Sequence, residues 1–123
     1  WCMKCGGSCA PGQSVYVDKC SGSSRQQFTA VGETIRPKSD LSLCMTVTGY
    51  SESKPIRVLK CRDGNRSDQQ FVRLKAKGRF ELHPKKSADK CLTQQHHPKA
   101  REMVYPEECK KAEGHDTAYW VEY

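Results

Sequence analysis

No run of apolar residues in this chain approaches the roughly 18 that a membrane span needs, which excludes a spanning helix from the reading. Shorter helices are missing too, because no segment keeps an amphipathic period through three turns. Apolar residues are scarce altogether, at 36% of 123 positions with a mean hydropathy of -0.80. A chain this short has room for a modest core, and burial alone leaves so polar a domain marginal. No low-complexity linker divides it, so residues 1–123 read as one domain. The sequence starts at Trp1 without a signal peptide, as expected of a processed or trimmed chain. Asparagine occurs once, Asn65, in Asn-Arg-Ser after the turn signal Asp63-Gly64, which makes it a candidate glycosylation site.

Catalytic constellations are likewise absent. No serine, histidine and aspartate stand in a recognisable nucleophile arrangement, and Glu107 and Glu108 read as surface carboxylates. Adjacent histidines on a strand face opposite ways, so His96 and His97 read as solvated residues rather than ligands. The expectation is a protein that is not an enzyme and needs no metal or cofactor.

Two things are in excess. Lys and Arg number 21 against 14 Asp and Glu, for a net charge of +7 and a pI near 9.0, a balance that favours polyanionic partners. Cysteines number eight, an even count that fits a secreted disulfide framework. Four of them, Cys2, Cys5, Cys9 and Cys20, crowd the first twenty residues, where two disulfides or one zinc site are both conceivable.

An internal repeat weighs between these. Cys2-Met3, Cys44-Met45 and Cys91-Leu92 lie 42 and 47 residues apart. Each is followed by an alternating apolar pair and a second cysteine: Val15 and Val17 before Cys20, Ile56 and Val58 before Cys61, Met103 and Tyr105 before Cys109. The cysteine separations are 18, 17 and 18. Each unit then closes on an aromatic, in Gln26-Gln27-Phe28, Gln69-Gln70-Phe71 and Ala118-Tyr119-Trp120. With no third cysteine near Cys44 and Cys61 or near Cys91 and Cys109, each pair most simply forms a disulfide, and Cys2–Cys20 corresponds. Cys5–Cys9 is left to close a small loop of its own; a zinc site at the N-terminus would break the three-fold pattern.

Local patterns point to strands. Val72, Leu74 and Ala76 alternate with Arg73, Lys75 and Lys77, and after Lys77-Gly78 the chain returns through Phe80 and Leu82, as in a hairpin. Residues 14–17 and 55–60 read as short strands, and 34–43 and 80–90 each look like the first strand of a unit. The fold class is therefore all-β.

Three cysteine-stapled units of this length, each ending in Gln-x-aromatic, resemble the ricin B-type lectin domain, a β-trefoil, over nearly the whole chain. The resemblance implies repeats at about 1–33, 34–79 and 80–123, the first without its initial strand, and assigns Phe28, Phe71 and Trp120 to the core. A sugar-binding repeat of that family carries an aspartate just after the Cys-Leu/Val step, an aromatic platform two residues before the second cysteine and an asparagine before the Gln-x-aromatic. This chain has Lys4, Thr46 and Thr93 for the acid. It has Asp18, Leu59 and, allowing one inserted residue, Pro106 for the platform, and Arg25, Asp68 and Thr117 for the asparagine. Ordinary galactose binding is not expected, since the hydroxyl acceptor and the stacking face are both gone.

Basic residues offer another binding surface. Arg73, Lys75, Lys77, Arg79, Lys85, Lys86 and Lys90 follow closely, and Arg57, Lys60, Arg62 and Arg66 add to them. Tyr50 and His83 are candidate partners in contacting a ligand. The expected ligand is an anionic glycan, sulfated or uronic, or an acidic glycoprotein surface, bound outside the cell. Nucleic acid is disfavoured for want of stacking aromatics beside the basic hairpin. The alternative is a structural trefoil that has lost sugar binding and packs with other chains or copies of itself. If the cysteines pair as read, the intact chain has no free thiol, and its mass lies about 8 Da below the reduced form, one hydrogen per cysteine. Peptide mapping that joins Cys20 to Cys5 or Cys9, or finds four metal-bound thiolates, contradicts the repeat alignment.

Overall fold

The computed structural model describes residues 2–50, 54–63, 66–76, 79–87, 89–94, 102–108 and 119–120, with the backbone alone for 74–76, 79–81, 94, 102, 119 and 120. Eleven strands follow one another among these residues: β1 (Cys2–Cys5), β2 (Val15–Asp18), β3 (Phe28–Val31), β4 (Thr34–Pro37), β5 (Leu43–Thr46), β6 (Arg57–Lys60), β7 (Phe71–Ala76), β8 (Arg79–Pro84), β9 (Lys90–Gln94), β10 (Glu102–Glu108) and β11 (Tyr119–Trp120). Single 3-10 turns at Ser24–Gln26 and Ser67–Gln69 precede β3 and β7.

The pairing repeats. Within each unit the Cys-Met/Leu strand forms a hairpin with the strand that carries the apolar pair: β1 with β2, β5 with β6, β9 with β10. Between units the chain turns tightly from β3 into β4, and β7 pairs with β8. The β3–β4 turn has two residues, Gly32 and Glu33, and Gly32 sits at φ +60°, a conformation that two-residue hairpins demand and that a side chain resists. β11 pairs with β8 beside β7, while β3 is paired with β4 alone among the described strands. This is a β-trefoil.

The three hairpins meet around an approximate three-fold axis. Val15 N donates to Ile56 O at 2.7 Å and Ile56 N to Val104 O at 2.8 Å, and β10 pairs with β2 through Glu102 and Met103. Val15, Ile56 and Val104 are all fully buried, with Val17, Val58, Met3, Met45 and Leu92 packed behind them. Phe28 and Phe71 close the core from the other end. Each such side chain contributes roughly 1.5–3 kcal/mol on burial.

Here the third unit departs from its expected register. Met103 is 44% exposed, whereas Val104, Tyr105 and Pro106 are all buried. Pro106 opposes Leu92 as Val17 opposes Met3 and Val58 opposes Met45, so no residue is inserted before Cys109. The position two before the second cysteine is therefore Glu107, opposite Cys91, rather than Pro106. A one-residue slip would have turned Val104 out to solvent and Met103 in, which the core does not permit.

Disulfides Cys2–Cys20, Cys5–Cys9 and Cys44–Cys61 span 18, 4 and 17 residues. Cys91 is also disulfide-bonded; Cys109, the partner expected for it, lies outside the described residues. Closing a loop of 17 or 18 residues removes roughly 3 kcal/mol of unfolded-chain entropy. Because all four N-terminal cysteines are cross-linked to one another, none of them is a thiolate able to hold zinc. Since Ile56 lies at the meeting point of the hairpins, Ile56→Ala is expected to cost about 2–5 kcal/mol in urea denaturation, whereas Leu41→Ala on the exposed loop changes stability by about 0.5 kcal/mol or less. Equal stability of the two variants contradicts the core assignment.

Candidate functional site

The strand that follows each first cysteine and the strand that precedes each second one bring the sugar positions of the repeats together. Directly opposed residues of an antiparallel pair share a face. In the first unit Cys2 opposes Asp18 and Lys4 opposes Tyr16, and Lys4 Nζ stands 3.4 Å from Asp18 Oδ2, with the two side chains 12% and 27% exposed. A cation thus fills the acid's place, and its own partner fills the platform's. Arg25, in the place of the asparagine, donates through Nη1 to Gly7 O at 2.7 Å and is tied down.

In the second unit Thr46 is buried and hydrogen-bonded within the protein: its hydroxyl donates to Cys44 O at 3.1 Å and accepts from Gln69 Nε2 at 3.2 Å. Arg57, opposite it, donates through Nη1 to Gly12 O at 2.9 Å. Leu59 offers no flat face. In the third unit Thr93 is fully buried opposite Tyr105, itself 4% exposed, and the Tyr105 hydroxyl donates to Glu107 Oε2 at 3.5 Å. None of the three positions presents an acid beside an aromatic platform.

The chain matches the model of the ricin-type β-trefoil lectin domain over residues 1–120. It belongs to the ricin-type β-trefoil lectin family. A search of curated protein sequences finds no match. Among solved structures it is similar to a designed three-fold symmetric protein, ThreeFoil, with 17% identity, a TM-score of 0.65 and coverage of 86% of this chain and 80% of that one, a likeness that concerns the fold alone. Ricin-type lectin domains are carbohydrate-binding modules and generally non-catalytic, and both they and disulfides are typical of extracellular proteins. No helix among the described residues is long and apolar enough to cross a membrane, and no three metal-ligating side chains converge among them.

In this ricin-type domain several basic residues whose side chains are described are tied into the fold. Lys85 Nζ is ion-paired with Glu33 Oε1 at 2.7 Å, and Arg57 is held by Gly12. Lys60 lies near Asp40, whose carboxyl is held below its usual range first by the Ser42 hydroxyl, then by the Ser42 N–H, with the Lys60 charge adding to both. Arg73 is exposed on β7 and Lys86 is exposed just after β8; Lys75 and Arg79 lie on β7 and β8, where only the backbone is described. Lys77 and Asn65 lie outside the described residues, as do His96 and His97. Tyr50 is 41% exposed, and Lys90 Nζ, which also pairs with Glu108 at 3.7 Å, is 6.0 Å from its ring centre. His83 is buried against Cys91 Sγ, with Nδ1 at 3.6 Å, and belongs to the interior rather than to a ligand surface.

One concavity was not foreseen from the sequence. A cleft of about 440 Å³ opens between the β3–β4 turn and the segment leading to β7, lined by Gly32, Glu33, Thr34, Arg62, Asp63, Arg66, Gln69 and Gln70. Two of the basic residues, Arg62 and Arg66, meet there. Galactose and lactose are expected to give no measurable heat in isothermal titration at millimolar concentration, because no unit offers the acceptor and stacking face together. Sub-millimolar affinity for either contradicts this reading of the three positions.

Proposed function

We propose that this domain is a secreted, non-catalytic lectin module for anionic glycans, sulfated or uronic, held by basic side chains. The observation that carries the reading is the meeting of two exposed arginines, Arg62 and Arg66, at one cleft, whereas Lys4, in the acid's place at the first sugar position, is already paired with Asp18. A net charge of +7 supports it, as do the exposed Arg62, Arg66, Arg73 and Lys86. Long-range attraction of that sign concentrates polyanions at the surface. The seven described cysteines are all disulfide-bonded, which supports residence outside the reducing cytosol.

A second reading rests on a separate observation. Among the described strands β3 has a ladder partner on one side only, and an unpaired strand edge is a template for another chain. Under that reading the trefoil packs with other chains or with copies of itself.

A glycan array run at low and high salt, beside native mass measurement, tests both. The lectin reading predicts retention of uronic or sulfated glycans that weakens as salt rises, since exposed charges are screened over about 8 Å at physiological ionic strength. Binding that is indifferent to salt, or confined to neutral sugars, contradicts it. A defined oligomer with no glycan signal favours the packing reading.

A further inference from the structure

The cleft between the β3–β4 turn and the residues Arg62, Asp63, Arg66, Gln69 and Gln70 adjoins the second family sugar position, through Gln69 against Thr46, but none of the residues at the three sugar positions lines it. Its walls are fixed by groups already committed to the fold. Gln69 donates to Thr46 Oγ1 and to Lys60 O and accepts from Arg62 N, so its amide is occupied. The Thr34 hydroxyl donates to Val31 O at 2.6 Å and accepts from Arg36 Nε at 2.9 Å. Glu33 is paired with Lys85, and its carbonyl accepts from Phe71 N at 2.9 Å, which joins the turn to the start of β7. Gly32, with a positive φ and nothing within 4 Å of where a Cβ would stand, leaves one wall low and open.

Three lining side chains have no partner among the described residues, and a fourth is only loosely held. Arg66 is exposed and makes no ion pair or side-chain hydrogen bond among the described residues. Arg62 has only Asp68, at 3.8 Å, too far for a hydrogen bond, and its side chain is 52% exposed. The Asp63 carboxylate and the Gln70 side-chain amide likewise have no partner among the described residues. With Glu33 neutralised by Lys85, two guanidinium groups face one lining carboxylate, and Asp68 stands behind Arg62. Such a balance suits a singly charged, hydroxyl-rich ligand better than a polysulfate or a phosphate. The lining has no aromatic ring, so nothing there stacks a base.

We infer that this cleft is a subsite for one carboxylate-bearing sugar, a uronic acid residue within a glycan. Arg62 and Arg66 take the carboxylate, because a planar guanidinium matches the two oxygens of a carboxylate as a fork. Asp63 accepts from sugar hydroxyls and the Gln70 amide both donates to and accepts from them. The cleft's volume falls within the range of small-molecule sites, about 300–1,000 Å³. The inference rests on the anionic-glycan reading and narrows it to one place and one acid group.

The test is isothermal titration at low salt with digalacturonate, its dimethyl ester and a sulfated disaccharide. Wild-type chain is expected to bind digalacturonate in preference to both others. Arg66→Gln and Arg62→Gln are each expected to weaken that binding about tenfold or more, the loss of a charge-assisted hydrogen bond, while Lys19→Gln leaves it unchanged. Arg66→Lys, which keeps the charge and loses the fork, is expected to weaken it less than Arg66→Gln, and circular dichroism checks that each variant is folded. Digalacturonate bound equally by wild type and both glutamine variants overturns the cleft while leaving the anionic-glycan reading standing. Preference for the sulfated disaccharide overturns the carboxylate assignment. Binding of none of the three overturns the anionic-glycan reading itself.

Discussion

Two buried glutamines hold the ends of the disulfide loops in place, and much of the architecture depends on them. Gln26 and Gln69 are each 2% exposed. Gln26 Nε2 donates to the carbonyl of Lys19, the residue before Cys20, and its Oε1 accepts from the N–H of Ser21, the residue after. Gln69 repeats this around Cys61, donating to Lys60 O and accepting from Arg62 N. Each glutamine thus satisfies the backbone of a loop at the point where a cross-link anchors it, and orphaned groups there would cost about 1–3 kcal/mol apiece. Two residues later comes the buried aromatic, Phe28 or Phe71, so one short motif joins the cysteine loop to the core.

That bracket bears on the binding surface as well. Gln69 occupies the Thr46 hydroxyl from one side and lines the cleft from the other. It holds the N–H of Arg62, the first cationic residue of the cleft, while the 3-10 turn Ser67–Gln69 follows Arg66. The described residues on either side of 64–65 are anchored: Arg62 by Cys61 and Gln69 before it, and the turn after Arg66 by the Phe71 N to Glu33 O hydrogen bond. Anchoring of this kind lowers the ordering cost of binding.

The all-β trefoil was legible because its signals are periodic and local. The β7–β8 pairing follows the hairpin pattern of the sequence, and the segments read at 34–43 and 80–90 contain the strands β4 and β8, while Val72, on the expected apolar face, is exposed. The third unit's register was not legible. Met103 and Tyr105 offer themselves as the apolar pair, which calls for an inserted residue before Cys109, yet the strand register pairs Pro106 with Leu92 and turns Met103 outward. The loss of the family sugar positions could be read residue by residue, but the ion pair of Lys4 with Asp18 needed the hairpin register. The cleft could not be read at all, since it is made by a turn at 32–34 and a segment at 62–70 that no pattern connects. Nor did the sequence distinguish cations tied into the fold, such as Arg57 and Lys85, from those left free, such as Arg66.

With its usual sugar positions closed, a ricin-type trefoil that holds a glycan has to do so elsewhere on its surface, here through exposed arginines. Amide chemical-shift mapping of the labelled chain during titration with digalacturonate tests it most directly. The largest shifts are expected at Gly32 to Thr34 and at Arg62, Asp63, Arg66, Gln69 and Gln70, the two walls of the cleft. Shifts centred instead on Thr46, Arg57 and Leu59, or on Lys4, Tyr16 and Asp18, would place the ligand in a family sugar position and overturn the assignment to the cleft.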